Sequence, residues 1–147
     1  MKWKEFRIGD LFTQSRGKES APNKVEDGNI PMVNEISSNN GIAKYASSKN
    51  ILKGNAITVS VNYASNVFYQ KNDFCASVNI LVLYADFLTE NIGLFIATLL
   101  RKNNQKYNYA QKISKDRLND TIIKLPIKTS VSIDYSMLDA IGGGSLI

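Results

Sequence analysis

The chain has 147 residues, of which 44% are hydrophobic and 21% charged, and its formal net charge is +5. It contains no histidine, the commonest general base and metal ligand, so the sequence predicts no catalytic residues, no metal site and no cofactor. A single cysteine, Cys75, excludes an internal disulfide, and no apolar segment approaches the roughly 18 residues of a membrane span, so we expect one cytoplasmic domain without membrane contact.

The first third of the chain predicts short strands joined by long polar loops. Residues 1–12 carry apolar anchors; Trp3 is expected in or against the core, and Asp10 is expected to cap a short helix. Residues 13–29 are polar with interspersed glycine and proline, which predicts a loop. The next segment, "IPMVN", predicts a strand start or an edge strand, because Pro31 has no N–H to donate to a neighbour. An Asn-rich turn and another short strand, "GIAKY", follow.

The remaining chain predicts a hairpin, a central strand and one long helix. "AITVSVNY" alternates apolar and polar residues and is expected to pair with "VFYQ" as a hairpin over 55–70. "VNILVLY" is almost continuously apolar, which is typical of a central strand. Thr89 is expected to cap the long helix, and a helical turn over 114–118, a strand over 121–125 and a short helix over 134–141 follow.

These elements place the chain in the α+β class. We expect a single compact domain with a twisted mixed β-sheet of short strands, one long helix and long polar loops.

The positive charge is concentrated in one segment, residues 101–128. This segment holds eight basic and two acidic residues, a net charge of +6, so the other residues sum to −1. Clustered positive charge attracts polyanions through Coulomb forces and counterion release. Nucleic acid is the leading polyanion, because the segment lacks the broad apolar face that binding to an anionic membrane requires. The alternative is a solvated surface turn without a partner.

In chain order, several segments resemble the target recognition domain of a type I restriction–modification specificity subunit. These segments are Trp3 with "FRIGDLF", then "GNIPMV", "GIAKY", "GNAITVS", "VFYQ", "FCASVNILVLY", "ENIGLFIATLL" and "YAQKISKDRLNDTIIKLP". The resemblance implies a DNA target recognition domain over 1–128. Residues 129–147 resemble the start of a truncated spacer helix followed by a Gly-rich tail.

What the resemblance implies is sequence-specific binding of double-stranded DNA without catalysis, as half of a specificity subunit. In such systems, separate methyltransferase and restriction subunits carry out the chemistry and are the implied protein partners. Long spacer helices dock the methyltransferase, and here that helix is short, so direct assembly with a methyltransferase stays open. A lone domain could recover two half-sites by forming a homodimer, and its site would then be an interrupted palindrome.

Under this resemblance, "KISKDRL" is a loop and helix start that faces DNA. Four apolar residues are expected to anchor it to the core: Leu118, Ile122, Ile123 and Leu125. The expected phosphate contacts are Lys112, Ser114, Lys115, Arg117 and Lys18. The expected base contacts, chosen for their paired donors and acceptors or their place on a loop, are Asn34, Asn39, Asn40, Asn62, Tyr63, Asn66 and Gln111.

Each of these assignments has a structural alternative. Asn-rich turns tolerate positive φ and need no ligand, and Asn62 with Tyr63 also fits an ordinary hairpin tip. Of Tyr107 and Tyr109, one is expected to contact DNA and the other to cover the end of the long helix.

Two other functions stay open. The chain could be a protein-binding mimic or decoy of a specificity subunit from a phage or mobile element, although a DNA mimic should be acidic and this chain is basic. It could also be an RNA-binding domain. RNA-binding sheets present paired aromatics on a strand face, for which "VFYQ" is the one weak candidate.

Overall fold

The computed structural model describes residues 2–107, 112–130 and 132–144. Its α-helices and strands follow one another as β1 Lys2–Arg7, α1 Ile8–Leu11, β2 Thr13–Arg16, β3 Asp27–Val33, β4 Ile42–Ala46, β5 Ala56–Ser60, β6 Val67–Gln70, β7 Cys75–Ala76, β8 Ile80–Tyr84, α2 Glu90–Asn103, α3 Lys115–Asn119, β9 Ile122–Ile127 and α4 Tyr135–Gly142. Short 3-10 turns lie at Pro22–Lys24, Asn39–Gly41 and Asn104–Lys106.

The expected α+β class is confirmed, with the described strands divided among three sheets. The largest sheet has the order β2-β8-β5-β6 and is antiparallel throughout. The second has the order β4-β3-β7, in which β3 and β7 run parallel. The third is a two-stranded antiparallel ribbon of β1 and β9. The expected hairpin is β5 with β6, and the expected central strand is β8.

Three expectations for the first third of the chain are wrong. Trp3 is 43% exposed on β1 instead of lying in or against the core. Asp10 lies inside α1, whose cap position is Arg7 without a side-chain cap. Residues 13–16 form strand β2 rather than a loop, because they pair with the edge of apolar β8.

The strand around Pro31 is central in its sheet, not at an edge. Pro31 pairs with Tyr45 of β4 on one side, while β7 pairs only with Met32 and Val33 on the other. The missing proline N–H therefore falls outside the stretch that is bonded on both sides, and the central position is tolerated.

The main hydrophobic core lies between the four-stranded sheet and helix α2. Ile92, Ile96 and Leu100 recur with helical spacing and are fully or almost fully buried, while α2 packs against both β6 and α4. Cys75 is buried in the second sheet as expected, and burial raises the pKa of its thiol. No helix in the described part of the chain is long and apolar enough to cross a membrane.

Thr89 caps α2 and also ties it to α4. Its hydroxyl accepts a hydrogen bond from the Ile92 N–H at 3.2 Å and donates one to Asp139 Oδ1 at 2.6 Å. We expect Thr89→Ala to lower the free energy of unfolding by about 1–2 kcal/mol, since both bonds are lost. Urea denaturation measures the change.

Thr98→Ala is the matched control for this prediction, because the same side chain is removed from the same helix. The Thr98 hydroxyl donates only to the Leu94 carbonyl within α2, at 2.9 Å, and alanine is the better helix former. We expect this variant to be neutral or slightly more stable. Equal destabilisation by both substitutions would show that the two hydrogen bonds of Thr89 add no stability beyond that of an ordinary helix residue.

Candidate nucleic-acid interface

Residues 112–117 form a hydrogen-bonded surface turn, called the basic turn below. Helix α3 begins at Lys115, and the Ser114 hydroxyl accepts a hydrogen bond from the Arg117 N–H at 3.1 Å. Arg117 Nη1 donates to the Lys112 carbonyl at 3.4 Å. The side chains of Lys112, Lys115 and Arg117 are exposed, whereas Leu118 directly below is fully buried. Three cations therefore project into solvent from an anchored turn.

The basic turn is fixed to two strands of the largest sheet. Ile113 is fully buried, and its N–H donates to the Val61 carbonyl at the end of β5 at 3.0 Å. From β2, Gln14 Nε2 donates to the Lys115 carbonyl at 3.2 Å and to Asn119 Oδ1 at 2.9 Å. These contacts hold the three cations beside the loop that joins β5 to β6.

Of the four residues expected to anchor this segment, three are buried. Leu118, Ile123 and Leu125 belong to the main core. Ile122 is 45% exposed, so its expected role is wrong. Neighbouring residues of a strand face opposite sides, and β9 turns Ile123 inward and Ile122 outward.

A polar cleft of about 420 Å³ opens beside the β5–β6 loop. Three expected base contacts, Asn62, Tyr63 and Asn66, line it together. Tyr107, one of the two tyrosines for which DNA contact was considered, also lines it, together with Glu35, Ile36, Ser37, Ser38 and Ser65.

Tyr107 connects the cleft with the basic turn. It follows a 3-10 turn that Asn104 fixes to the β5–β6 loop, since Asn104 Nδ2 donates to the Ala64 carbonyl at 2.9 Å. The Lys106 amine lies 5.4 Å and the Arg117 guanidinium carbon 6.0 Å from the centre of the Tyr107 ring. Both are within cation–π range, so one wall of the cleft is an aromatic ring flanked by cations. Tyr109 lies outside the described residues.

Glu35 holds Asn62 by both carboxylate oxygens. Its Oε1 accepts from the Asn62 backbone N–H at 2.7 Å, and its Oε2 accepts from Asn62 Nδ2 at 2.8 Å. Asn62 Oδ1 is buried and has no hydrogen-bond partner in the described part of the chain. The Asn62 amide is thus engaged by the protein, and a base contact through it would require a change of partner. Glu35 lies 27 residues away in sequence, which is why no local pattern predicts this pair.

The Asn-rich turn is held to β6 by its own amides. Asn40 Nδ2 donates to the Tyr69 carbonyl at 3.0 Å and to Gln70 Oε1 at 3.2 Å, and Gln70 Nε2 donates back to the Asn40 carbonyl at 3.0 Å. Asn39 Nδ2 donates to the Ile42 carbonyl at 3.1 Å. Asn39 and Asn40 both have positive φ, which asparagine tolerates better than most residues. Neither lines the cleft.

The other expected contacts are placed apart from the cleft or not described. Asn34 Oδ1 accepts from the Ser77 hydroxyl at 2.7 Å, which ties the end of β3 to the segment after β7. Lys18 is exposed, next to the bridge between Glu19 and Ser77, and does not line the cleft. Gln111 lies outside the described residues.

Not every charge of segment 101–128 faces solvent freely. Arg101 Nη2 donates to the Val67 carbonyl at 2.6 Å, and its guanidinium carbon lies 5.5 Å from the Phe68 ring centre, so this cation fastens α2 to β6. The Asp120 carboxylate is paired with Arg7, at 2.9 Å, and this hydrogen bond and charge raise the pKa of Arg7. Its negative charge is therefore partly offset beside the basic turn.

The described residues hold no group of three or more histidine, cysteine or acidic side chains that could bind a metal ion. The arrangement that remains is an exposed set of cations beside a cleft lined with amides, hydroxyls and aromatic rings. Cations of this kind can bind phosphates, and such a cleft can make hydrogen bonds to base edges.

The chain matches a protein-family model and is similar to a curated protein. The family model for the type I restriction modification DNA specificity domain matches residues 1–143. The Type II restriction enzyme BgcI specificity subunit S.BcgI of Heyndrickxia coagulans is 30% identical over 145 residues. That match covers 95% of this chain and 42% of the relative, so the chain spans less than half of that protein.

Two solved structures share the fold over 97% of this chain. One is the S subunit of a type I restriction-modification system from M. genitalium, with a TM-score of 0.66 and 15% identity. The other is the HsdS subunit from Thermoanaerobacter tengcongensis, with a TM-score of 0.65 and 16% identity. This chain spans 37% of each of them.

Proposed function

Because the chain belongs to the family of type I restriction modification DNA specificity domains, we propose that it is a target recognition domain that binds double-stranded DNA sequence-specifically. The observation that carries this proposal is the exposed basic turn fixed beside the polar cleft. The cations supply affinity for the phosphate backbone, and the cleft residues supply the choice of sequence.

The proposed roles follow the two parts of this surface. Lys112, Lys115 and Arg117 contact phosphates, and Ser114 supports them by capping α3. The base contacts come from the cleft, first from Tyr63 and Asn66. Gln111, adjoining the basic turn in sequence, and Lys18, on a separate loop, stay in the proposal as further contacts. Asn34, Asn39 and Asn40 enter it as residues that hold the loops, since their amides are bonded within the protein.

The domain boundary and the partners belong to the same proposal. Residues 1–128 form the recognition domain, and 129–147 begin a spacer helix, of which α4 is the described part. The domain performs no chemistry itself and acts in the cytoplasm with methyltransferase and restriction subunits. In a homodimer, the second copy of the domain would contact the second half-site.

The placement of the "VFYQ" aromatics argues against RNA as the ligand. Phe68 lies beneath the Arg101 guanidinium, and Tyr69 is buried with its hydroxyl donating to Asn55 Oδ1 at 2.6 Å. Strand β6 therefore does not present two stacked aromatics to a single strand, as sheet-based RNA readers do.

Selection from a pool of random duplexes tests the proposed function. We expect a short motif to be enriched, and we expect its binding to fall steeply as salt rises, because cation–phosphate contacts release counterions. Parallel selections with single-stranded DNA and RNA are the controls. Enrichment from the RNA pool alone, or affinity that hardly responds to salt, would contradict the proposal.

A further inference from the structure

Glu35 carries a negative charge into the proposed DNA-binding surface. It is half-buried and is the one carboxylate among the described residues that line the cleft. The same cleft has Tyr107 in its wall, and the Lys106 and Arg117 cations lie over that ring. A carboxylate at this place repels the phosphates of every duplex to a similar extent, so this repulsion does not distinguish one sequence from another. Glu35 therefore contributes to discrimination between base sequences rather than to the general affinity for DNA.

The Glu35 carboxylate is held in place without a cation. Asn62 donates one hydrogen bond to each oxygen, and none of the ion pairs formed by the described residues includes Glu35. Two fixed bonds at 2.7 and 2.8 Å define the position of both oxygens. A group that is positioned in advance loses little entropy when a ligand binds, which favours discrimination between similar ligands.

The carboxylate keeps acceptor capacity after binding Asn62. An ionised carboxylate offers about four acceptor positions, of which Asn62 occupies two. In the major groove, the donors on base edges are the exocyclic amino groups of cytosine and adenine, whereas guanine O6 and N7 and thymine O4 are acceptors. A fixed carboxylate thus attracts an amino group and repels the edge of guanine or thymine.

We infer that Glu35 is a specificity-determining residue that accepts a hydrogen bond from the exocyclic amino group of one cytosine or adenine in the target, with Asn62 as its holder. This inference rests on the proposed function of duplex DNA binding and assigns one base position within it.

The test removes the amino group from the DNA and the acceptor oxygens from the protein. In the selected duplex, each cytosine is replaced in turn by 2-pyrimidinone and each adenine by purine, which lack the amino group. Wild-type protein is expected to lose about tenfold in affinity at one position, the usual order for a lost base contact. Glu35→Ala removes both acceptor oxygens and is expected to show little or no further loss there. The identity of the sensitive analogue shows whether the contacted base is cytosine or adenine.

Glu26→Ala is the matched control, because it removes the same side chain from an exposed residue outside the cleft lining. It should keep the wild-type loss for every analogue. Equal losses in wild type and Glu35→Ala at every position would overturn the inference and leave Glu35 a purely structural residue. If the wild-type protein shows no preference for any duplex sequence, the proposed function fails as well. Failure of the inference and failure of the proposed function therefore give different results.

Two measurements keep the test independent of the stability of one variant. The wild-type analogue series needs no substitution, and a series without any sensitive position overturns the inference alone. Asn62→Ala keeps the carboxylate but removes its holder, so the loss at the sensitive position should persist and become smaller. Thermal unfolding of each variant confirms that a folded protein was measured.

Discussion

Replacing Lys112, Lys115 and Arg117 together by alanine is expected to weaken binding to any duplex by at least about a hundredfold near 0.1 M salt. Each phosphate contact contributes about 0.9 to the slope of log affinity against log salt, so the slope should become shallower by about three. The three side chains are exposed on one turn, and Leu118 and Ile113 beneath them are unchanged, so the fold should persist. Filter binding or fluorescence anisotropy at several salt concentrations measures both effects.

A second triple variant serves as the control, in which alanine replaces Lys24, Lys49 and Lys53. It removes the same charge from exposed residues outside segment 101–128. It should change affinity by much less, because long-range charge is screened within about 10 Å at this salt. If both triple variants behave alike, or if the first leaves affinity and slope untouched, the basic turn is a solvated face and DNA binds elsewhere.

Single substitutions distinguish the role of Arg117 from that of the two lysines. Its guanidinium could bind guanine by two parallel hydrogen bonds instead of a phosphate. Arg117→Ala alone would then weaken binding to the selected duplex far more than binding to a scrambled one. Lys115→Ala should weaken both equally and lower the salt slope by about one.

Ile123→Ala is expected to lower the free energy of unfolding by about 2–4 kcal/mol, a large fraction of the 5–15 kcal/mol typical of a domain. Ile123 is 4% exposed and belongs to the main core, so the truncation loses apolar burial and leaves a cavity. The midpoint of urea denaturation should fall with an unchanged slope.

Ile122→Ala provides the comparison for this prediction, since the same substitution is made one residue away. Ile122 is 45% exposed on the outer face of the β1–β9 ribbon, so the expected loss is below about 1 kcal/mol. Comparable destabilisation by both variants would contradict the inward and outward alternation of β9.

Elements with strong local signals could be predicted from the sequence. Helix α2 has its cap at Thr89, apolar residues at helical spacing and cations in its last turn, and its structure agrees with each. Strand β8 is apolar over its whole length and is central. Ser114 caps a short helix where the sequence placed a helical turn. In these cases, the residues of the element itself determine its structure.

Elements that depend on distant partners could not be predicted. "TQSR" carries little strand signal and becomes β2 only because β8 offers it a free edge. Glu35 meets Asn62, and Asn40 meets Gln70, across 27 and 30 residues, and no spacing rule covers such pairs. The cleft was therefore only partly predicted. The amides of the β5–β6 loop and Tyr107 were candidates from the sequence, whereas the pairing of Glu35 with Asn62 and the position of Tyr107 against the basic turn depend on the fold.

The β1–β9 ribbon brings residues 8 and 121 to one place. Arg7 pairs with Ile122, and the Ile8 N–H donates to the Thr121 carbonyl at 2.8 Å. The chain thus leaves the ribbon at residue 8 and returns to it at residue 121, and these two positions are adjacent. The cleft and the basic turn both lie between them in sequence. A recombination event that exchanged this insert for another of the same fold would leave the flanking chain where it was. Under the proposed function, new target sequences could arise in a single genetic step, without the many intermediates that residue-by-residue change requires.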